Sequence, residues 1–259
     1  MPSIDRRRGW GVMAALAVAV ALIPFAVLLV ETPWKHLGDL GAAAGPVAVT
    51  AAAGGVALAV VVGLGLPAAW YLARHASTPF RRVSEAAMVA LLLMPPLVLG
   101  LVLAYLLGPD TPVGAWLLRL GVTPTNSFFA LVVAQVYEAF PYFVLTAWAA
   151  FTTVPRVYEE AAANLRPHPL AVFREVTLPL AAPGLVAALA MAWARLVGAF
   201  GAVIVVAYHP VGLPVAIWIG LEETGLASAL PLAVALLALG FPVPLALMVW
   251  RQSRDPLAG

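Results

Sequence analysis

The sequence contains no cysteine and very little charge. Because none of its 259 residues is cysteine, the chain can form neither a disulfide framework nor a thiolate metal site. Only 10% of the residues are charged, whereas a soluble domain has about a quarter, so the chain could not cover itself with a water-compatible surface. Its one lysine is Lys35 and ends no glycine-rich segment, which excludes a phosphate-binding P-loop. With four histidines that lack metal-ligand spacing, the sequence predicts no catalytic residue, no metal and no nucleic-acid partner.

The residues that are present are mostly apolar, with 63% hydrophobic side chains and a mean hydropathy of +1.00. Apolar runs of roughly 20 residues recur, and each is long enough to cross a hydrocarbon layer of about 30 Å. The sequence thus predicts an all-α polytopic membrane protein with six transmembrane helices. The predicted spans cover about residues 10–30, 45–72, 86–107, 127–151, 182–207 and 229–250.

The third predicted span contains two neighbouring prolines, Pro95 and Pro96, directly after Met94. Such prolines are tolerated in membrane helices because neighbouring helices can satisfy the freed backbone groups. We expect the helix to unwind at this point, as a kink for packing rather than as a gate.

The basic residues predict the orientation, since they concentrate in cytoplasmic loops. With the N-terminus in the cytoplasm, eleven of the fourteen basic residues fall on the cytoplasmic side, and only Lys35 and Arg119 fall outside. Both termini and the segment 152–181 are therefore predicted to be cytoplasmic.

A compact polar stretch at residues 158–180, YEEAAANLRPHPLAVFREVTLPL, interrupts this apolar chain. We expect Thr152 and Thr153 to cap a short helix that carries Pro155 in its first turn. The apolar face of this helix has i, i+3, i+4, i+7 spacing and consists of Tyr158, Ala161, Ala162 and Leu165. Small residues at its centre would let another surface approach closely.

Two glutamates lead the polar side of this helix, Glu159 and Glu160, at the favourable end of the helix dipole. Helices that lie on anionic lipid headgroups prefer lysine and arginine there. The sequence therefore favours docking to a protein partner over binding to lipid headgroups.

The same stretch resembles a known family. Glu160, Ala161 and Ala162, followed by Leu178 and Pro179 in register, resemble the EAA loop of ABC importer permeases. Where that pattern has a glycine, this chain has Arg166, so we expect a somewhat different turn between the two parts of the loop.

The resemblance implies a type I ABC importer permease whose loop forms a coupling helix, seated in a cleft of a separate ATPase subunit. It implies ATP and magnesium on that partner, no cofactor on this chain, an extracytoplasmic solute-binding protein, and a permease homodimer in the inner membrane. The residues that it implies for coupling to the ATPase are Tyr158, Glu159, Glu160, Ala161, Ala162, Leu165, Arg166, Phe173, Leu178 and Pro179.

A second segment resembles one branch of this family. Residues 194–202 (ARLVGAFGA) resemble the AR-x-x-GEFGA segment of molybdate, tungstate and sulfate permeases, and residues 213–217 (LPVAI) resemble the molybdate/tungstate branch. Ala199 stands where those permeases usually carry glutamate. The resemblance implies import of molybdate or tungstate, with sulfate or another small solute as the alternative.

Two charged residues fall inside predicted spans, where charge is costly unless it is paired or faces water. Arg195 either faces a partner or pathway, or extends to the interface. Glu138 is either functional or a buried carboxylate satisfied by Tyr137, by Gln135 or by backbone freed at Pro141. As a pair, Glu138 and Arg195 would suit an ion-coupled secondary transporter, which is the rival interpretation.

The remaining expectations concern packing and domain limits. Gly198 and Gly201 are predicted to allow close helix packing, or less readily to line a constriction. Glu222 and Glu223 are predicted in the external loop before the sixth helix. We expect an N-terminal transmembrane helix with an external loop at 1–44, a permease core of five transmembrane helices at 45–250, and a short cytoplasmic tail at 251–259.

Overall fold

The computed structural model describes residues 3–34, 40–165 and 168–253. Within these ranges the chain folds into helices and connecting turns, without a strand. The elements in chain order are α1 (Ser3–Glu31), α2 (Leu40–Arg74), α3 (Thr78–Leu93), α4 (Pro96–Leu106), α5 (Pro112–Arg119), α6 (Phe128–Thr152), α7 (Arg156–Leu165), α8 (Pro169–Val172), a π-helical turn (Phe173–Thr177), α9 (Leu178–Val197), α10 (Val203–Val206), α11 (Leu213–Thr224), α12 (Leu226–Gly240) and α13 (Pro242–Ser253).

Five helical segments of the described chain are long and apolar enough to cross a membrane. They are Trp10–Glu31, Ala43–Arg74, Phe128–Thr152, Pro169–Val197 and Leu226–Trp250. A sixth span is formed if the bent pair α3 and α4 counts as one. The described chain thus has five spans in the predicted order, and the predicted six if the bent pair is one span.

The third span differs from a single helix, because α3 and α4 meet at 107°. The break falls at the predicted place: Met94 leaves the helix with ψ near 124°, and Pro96 starts α4 as its first residue. Residues before proline avoid the α conformation, and proline is welcome in a first helical turn. The expected local kink is therefore a bend of a little more than a right angle.

The core of the protein lies between α2, α6 and α9. Small buried side chains line their contacts, including Ala57 of α2, Ala147 of α6 and Ala188 of α9, each with no exposed surface. Gly65 of α2 lies so close to Phe143 of α6 that an added Cβ would be 2.7 Å from its ring. Such small residues let membrane helices approach closely, so α2, α6 and α9 form the closely packed core of the protein.

The helix ends around the polar stretch correct two expectations. Thr152 and Thr153 end α6 rather than cap α7, because their hydroxyls donate to the carbonyls of Ala149 (2.7 Å) and Ala150 (2.8 Å). Pro155 precedes α7, which begins at Arg156.

The fifth span is displaced from its predicted limits. It starts at Pro169, continues through the π-helical turn, and ends at Val197 rather than at residue 207. Two features beyond the predicted spans were also missed or misplaced. Helix α5 was not predicted, although the Thr111 hydroxyl caps it by accepting from the Gly114 amide at 3.0 Å. Glu222 and Glu223 lie in the last turn of α11, not in a loop.

Candidate functional site

The short helix α7 presents much of its surface to the outside. Tyr158 is 55% exposed, Glu160 and Ala161 are exposed, and Ala162 is half-buried. The side chain of Leu165 and all of Arg166 lie outside the described residues. The predicted apolar face is thus open where the structure describes it, and only Ala162 turns partly inward.

The other side of α7 is fixed to the protein through Glu159. One carboxylate oxygen of Glu159 lies 2.8 Å from Nε of Arg74, at the end of α2. The other accepts a hydrogen bond of 2.6 Å from the hydroxyl of Thr177, which is almost fully buried. The first contact is an ion pair by distance rather than an aligned hydrogen bond, since Arg74 Nε has no hydrogen-bond partner by angle within the described chain. Glu159 therefore joins α7 to α2 and to the start of the fifth span.

Arg74 extends this network to the turn that precedes α7. Its Nη2 donates a hydrogen bond of 2.9 Å to the carbonyl of Val154, between α6 and α7. We call Arg74, Glu159 and Thr177 the α7 clamp. The clamp connects α7 to α2 and to the fifth span, and through the Val154 carbonyl to the turn after α6.

Aromatic packing supports the clamp from inside. Phe173, in the π-helical turn, lies with its ring centroid 5.1 Å from that of Trp70 and 6.0 Å from that of Phe151. A cavity of about 330 Å³ opens between this cluster and the polar side of α7. Phe173 thus anchors the segment internally, and of the other predicted coupling residues Leu178 is half-buried and Pro179 is exposed.

A second polar site lies inside the helix bundle, and it joins two residues that the sequence singled out. Nη2 of Arg195, in the last turn of α9, is 3.0 Å from a carboxylate oxygen of Glu138 in α6. The guanidinium also lies 5.0 Å from the centre of the Tyr142 ring, a cation–π arrangement. Glu138 is only 3% exposed at its side chain, whereas Arg195 is 36% exposed. The partner of Glu138 is therefore Arg195, not the three predicted alternatives.

Polar groups of α6 also hold the end of α9. The second carboxylate oxygen of Glu138 accepts a hydrogen bond of 3.4 Å from the backbone amide of Ala202. The side-chain amide of Gln135 donates a hydrogen bond of 3.0 Å to the Leu196 carbonyl. The last carbonyls of a helix and the amides that follow lack helical partners. Glu138 and Gln135 thus satisfy backbone groups where α9 breaks off.

The broken end of α9 meets the broken third span. A Cβ added at Gly201 would lie 2.7 Å from Cβ of Pro96, and one added at Gly100 would lie 2.9 Å from the Ala202 backbone. Gly198, in contrast, is exposed and its Cβ would approach only the carbonyl of Ala194 at 3.2 Å. Gly201 is the glycine that close packing requires, and Gly198 is not.

The sequence did not single out Arg74 or Thr177 as site residues. Arg74 was visible only as a basic residue at the end of a span, and Thr177 only as part of the loop ending. Neither position carries a signal for its partner, because Glu159 is 85 positions from Arg74 and 18 from Thr177.

Comparisons with known proteins agree on one family. A family model described as "Binding-protein-dependent transport system inner membrane component" matches residues 65–249. The chain is 37% identical over 251 residues to a probable molybdenum ABC transporter permease protein of Haloferax volcanii, covering 94% of this chain and 89% of the relative. It is 27% identical to a probable sulfate transport system permease protein of Nephroselmis olivacea, covering 95% and 89%.

The fold also matches a solved structure. A chain from the crystal structure of a bacterial alginate ABC transporter, in complex with an alginate-pentasaccharide-bound periplasmic protein, superposes with a TM-score of 0.68. The match covers 96% of both chains at 16% identity. At that identity it is the architecture of type I ABC importer permeases that is shared.

Proposed function

This chain belongs to the binding-protein-dependent transport system inner membrane components, and we propose that it is the permease subunit of an ABC importer for molybdate or tungstate. In this proposal two copies of the chain form the pathway, a separate ATPase docks on α7, and a solute-binding protein delivers the anion. Both termini and α7 then face the cytoplasm, as the basic residues predict.

The observation that carries the coupling role is the two-sided construction of α7. Its outer side leaves Tyr158, Glu160 and Ala161 exposed, and its inner side is held by Glu159 to Arg74 and Thr177. A free solvated helix needs no such attachment. A helix that transmits force needs both a face for the motor and a firm connection to the helices that move.

The anion class is supported by the relatives and by the sequence segment around Arg195. The relatives are named as permeases for molybdenum and sulfate. Arginine and helix N-termini favour tetrahedral oxyanions, although a pathway fed by a binding protein need only pass the solute. Sulfate is therefore the alternative substrate within the same mechanism.

The mechanism we propose is alternating access driven from outside the chain. ATP closes the two ATPase subunits and brings the two α7 helices toward each other. The α7 clamp passes this displacement to α2, α6 and the fifth span, and the pathway opens toward the loaded binding protein. This chain supplies the lever and the path, and its partner supplies the hydrolysis.

An ion-coupled secondary transporter is the rival from another class, and the Glu138–Arg195 contact is the observation in its favour. However, Glu138 is 3% exposed and both of its oxygens are engaged, by Arg195 and by the Ala202 amide. A coupling carboxylate must be reached by an ion from water. The pair is therefore better explained as a structural joint than as an ion-binding site.

The test is ATP hydrolysis by the complex in proteoliposomes, with its ATPase and binding protein, when molybdate, tungstate, sulfate or no anion is supplied. We expect stimulation by molybdate or tungstate. Stimulation by sulfate alone would change the substrate, and a complex that assembles and hydrolyses ATP but ignores all three anions would contradict the oxyanion assignment. Uptake driven by an ion gradient without ATP would instead favour the rival.

The docking face has its own test in the Ala161→Asp and Glu160→Lys variants. Ala161→Asp adds a negative charge to the exposed side of α7, and Glu160→Lys replaces a negative charge there with a positive one. We therefore expect transport to be lost while the chain still inserts into the membrane. Normal transport by both variants would show that α7 is not the lever.

A further inference from the structure

A cavity of about 250 Å³ lies between α2, α3 and α6, and it shares no lining residue with the α7 clamp or with the Glu138–Arg195 pair. Its wall is apolar except for the hydroxyls of two side chains, Tyr71 and Ser84. The side chains around it include Tyr71 and Leu72 of α2, Phe80, Ser84 and Met88 of α3, and Phe140 of α6. A wall of this kind suits an apolar ligand.

The cavity opens between two aromatic side chains. Phe80 is 53% exposed and Tyr71 is 49% exposed, and their rings meet edge to face with centroids 6.1 Å apart. His75, between the two helices, stacks on Tyr71 with ring centroids 6.0 Å apart. These rings lie where α2 ends and α3 begins, and aromatic side chains such as tyrosine are enriched at the membrane surface. The opening therefore lies at the level of the lipid headgroups.

Two arginines next to Phe80 have no anionic partner in the described chain. Arg81 and Arg82 are exposed near the start of α3, and the first turn of this helix contains no acid. No ion pair joins either of them to an acid among the described residues. The start of a helix is also the positive end of its dipole, which disfavours a cation. The two charges are therefore available to an anion from outside the chain.

The two arginines differ in the face of α3 on which they lie. Arg81 is three positions before Ser84 and seven before Met88, which is the spacing of residues that share one helix face. Because helical side chains point toward the N-terminus, Arg81 extends from the cavity toward the loop before α3. Arg82 is two positions before Ser84 and lies on a different face. Arg81 is thus the cation on the side of the cavity.

We propose that this cavity binds one anionic phospholipid, with an acyl chain between α2, α3 and α6 and the phosphate on Arg81. The apolar wall takes the chain, the aromatic opening lies at the headgroup, and the unpaired arginine supplies the charge. Basic pockets between membrane helices on the cytoplasmic side, where anionic lipids concentrate, bind such headgroups. That side of the membrane rests on the orientation in the proposed function, whereas the site itself rests on its lining residues.

The packing of α3 indicates what the lipid does for the protein. This helix contains no fully buried residue, so its packing on α2 and α6 is incomplete where the cavity lies. An acyl chain there replaces the missing side-chain contacts, and the phosphate offsets positive charge at the start of the helix. Bound lipid therefore stabilises the first half of the bent third span.

The test is binding of two lipids to the purified full-length protein after native lipid has been removed: phosphatidylglycerol, which is anionic, and phosphatidylcholine, which has no net charge. We expect tighter binding of phosphatidylglycerol. Arg81→Ala should weaken it about fivefold, because one arginine at an anionic headgroup contributes about that factor. Arg82→Ala is the matched control, since it removes the same charge from a different face, and we expect a change of less than about twofold.

Two further variants test the cavity itself. Met88→Trp fills it and should abolish binding of phosphatidylglycerol. Phe80→Ala removes an exposed wall and leaves the buried core unchanged, so it tests the cavity even if Met88→Trp does not fold, and it should weaken binding about fivefold. Glycerol phosphate, which carries the headgroup charge without acyl chains, should not displace the lipid.

Equal binding of the two lipids, or equal losses in Arg81→Ala and Arg82→Ala, would overturn recognition of the headgroup by Arg81. Normal binding by Phe80→Ala or by a folded Met88→Trp, or displacement by glycerol phosphate, would overturn the placement of the acyl chain. If wild type binds no lipid and Met88→Trp instead separates a dimer, a second copy covers the cavity and the proposal fails. These measurements use neither ATP nor an oxyanion, so their failure is distinguishable from failure of the proposed function.

Discussion

Two glutamate–arginine pairs of the described residues, in the α7 clamp and in the inner joint between Glu138 and Arg195, are built in opposite ways. In the α7 clamp, Arg74 is 9% exposed and Glu159 is 16% exposed, so both charges lie at the edge of the bundle. In the inner joint, Glu138 is 3% exposed and Arg195 is 36% exposed, so one charge is buried and the other opens outward. The two pairs use the same chemistry in different surroundings.

The partners around each pair differ as well. Glu159 and Arg74 reach a side-chain hydroxyl and a carbonyl outside any helix, at Thr177 and Val154. Glu138 reaches the backbone where α9 breaks off, at Ala202. The clamp therefore connects a surface helix to the core, whereas the inner joint lies within the core itself. Breaking the inner joint should harm folding, and breaking the clamp should harm transmission.

Arg195→Ala is expected to have the largest effect on stability. It leaves Glu138 buried without its cation, and breaking a buried pair in this way costs roughly 3 kcal/mol or more. The measurement is thermal unfolding of the purified protein in detergent. If Arg195→Ala lowers the stability of the protein no more than Arg74→Ala does, the two pairs do not differ in the way we propose.

The second prediction concerns the backbone contact beside the inner joint. Gly201→Ala should destabilise the protein by about 1–3 kcal/mol, because a Cβ there would lie 2.7 Å from Pro96 and 3.1 Å from the Leu97 amide nitrogen. Gly198→Ala is the matched control, since its nearest contact is a carbonyl of its own helix end. The two variants are compared by the same unfolding measurement, and equal losses would contradict the close packing assigned to Gly201.

The sequence predicted the membrane spans well because a span depends mainly on the length of an apolar run. Runs of apolar residues identified the six spans, and Pro95 and Pro96 identified the break in the third. The angle of that break could not be predicted, because it depends on what α4 packs against, including the Ala202 backbone at Gly100. The predicted start of the fifth span was wrong for a similar reason. A π-helical turn continues the helix through the polar residues before Leu178, where the apolar pattern alone predicts no span.

The candidate site residues were predicted mostly one at a time. Glu138 and Arg195 were paired only in the rival transporter interpretation, and the partners of Glu159 were not predicted. Glu138 and Arg195 stood out because charge is rare in a membrane span, and they form a contact. Glu159 stood out only as an acid near a helix start, and its connection to Arg74 had no sequence signal. The free-energy cost of a charged residue in a membrane span can be predicted from the apolar residues around it in the sequence. Its partner, in contrast, depends on the tertiary fold.

Arg74→Ala is the third prediction, and its effect on stability should be modest. Both members of the clamp retain some access to water, so we expect a loss of about 1 kcal/mol. The larger effect should appear in coupling: basal ATP hydrolysis continues, and its stimulation by anion falls. A variant that keeps full stimulation would show that the clamp does not transmit the motion of α7.

Salt offers a further comparison between the same two variants. Charges near the surface are screened between about 0.1 M and about 1 M salt, whereas buried charges are screened much less. The stability difference between wild type and Arg74→Ala should therefore shrink as salt rises. The difference between wild type and Arg195→Ala should shrink less, because Glu138 is 3% exposed although Arg195 itself is 36% exposed. Shrinkage of both differences to the same extent would contradict the burial of Glu138.

The smallest effect on folding is expected at the outer face of α7. Tyr158 is 55% exposed there, so Tyr158→Ala should change stability by no more than about 0.5 kcal/mol. If this face receives the ATPase, the same substitution removes a large part of a docking surface, because exposed aromatic side chains dominate the energy of protein interfaces. The measurement is co-purification of the ATPase with wild type, Tyr158→Ala and the control Leu120→Ala, in which an exposed apolar residue lies far from α7 in the chain. Retention of the ATPase by Leu120→Ala and its loss from Tyr158→Ala would place the motor on α7, and equal retention by both would move it elsewhere. Tyr158→Ala thus tests docking of the ATPase with almost no change in stability, whereas the two Arg→Ala variants change stability as well.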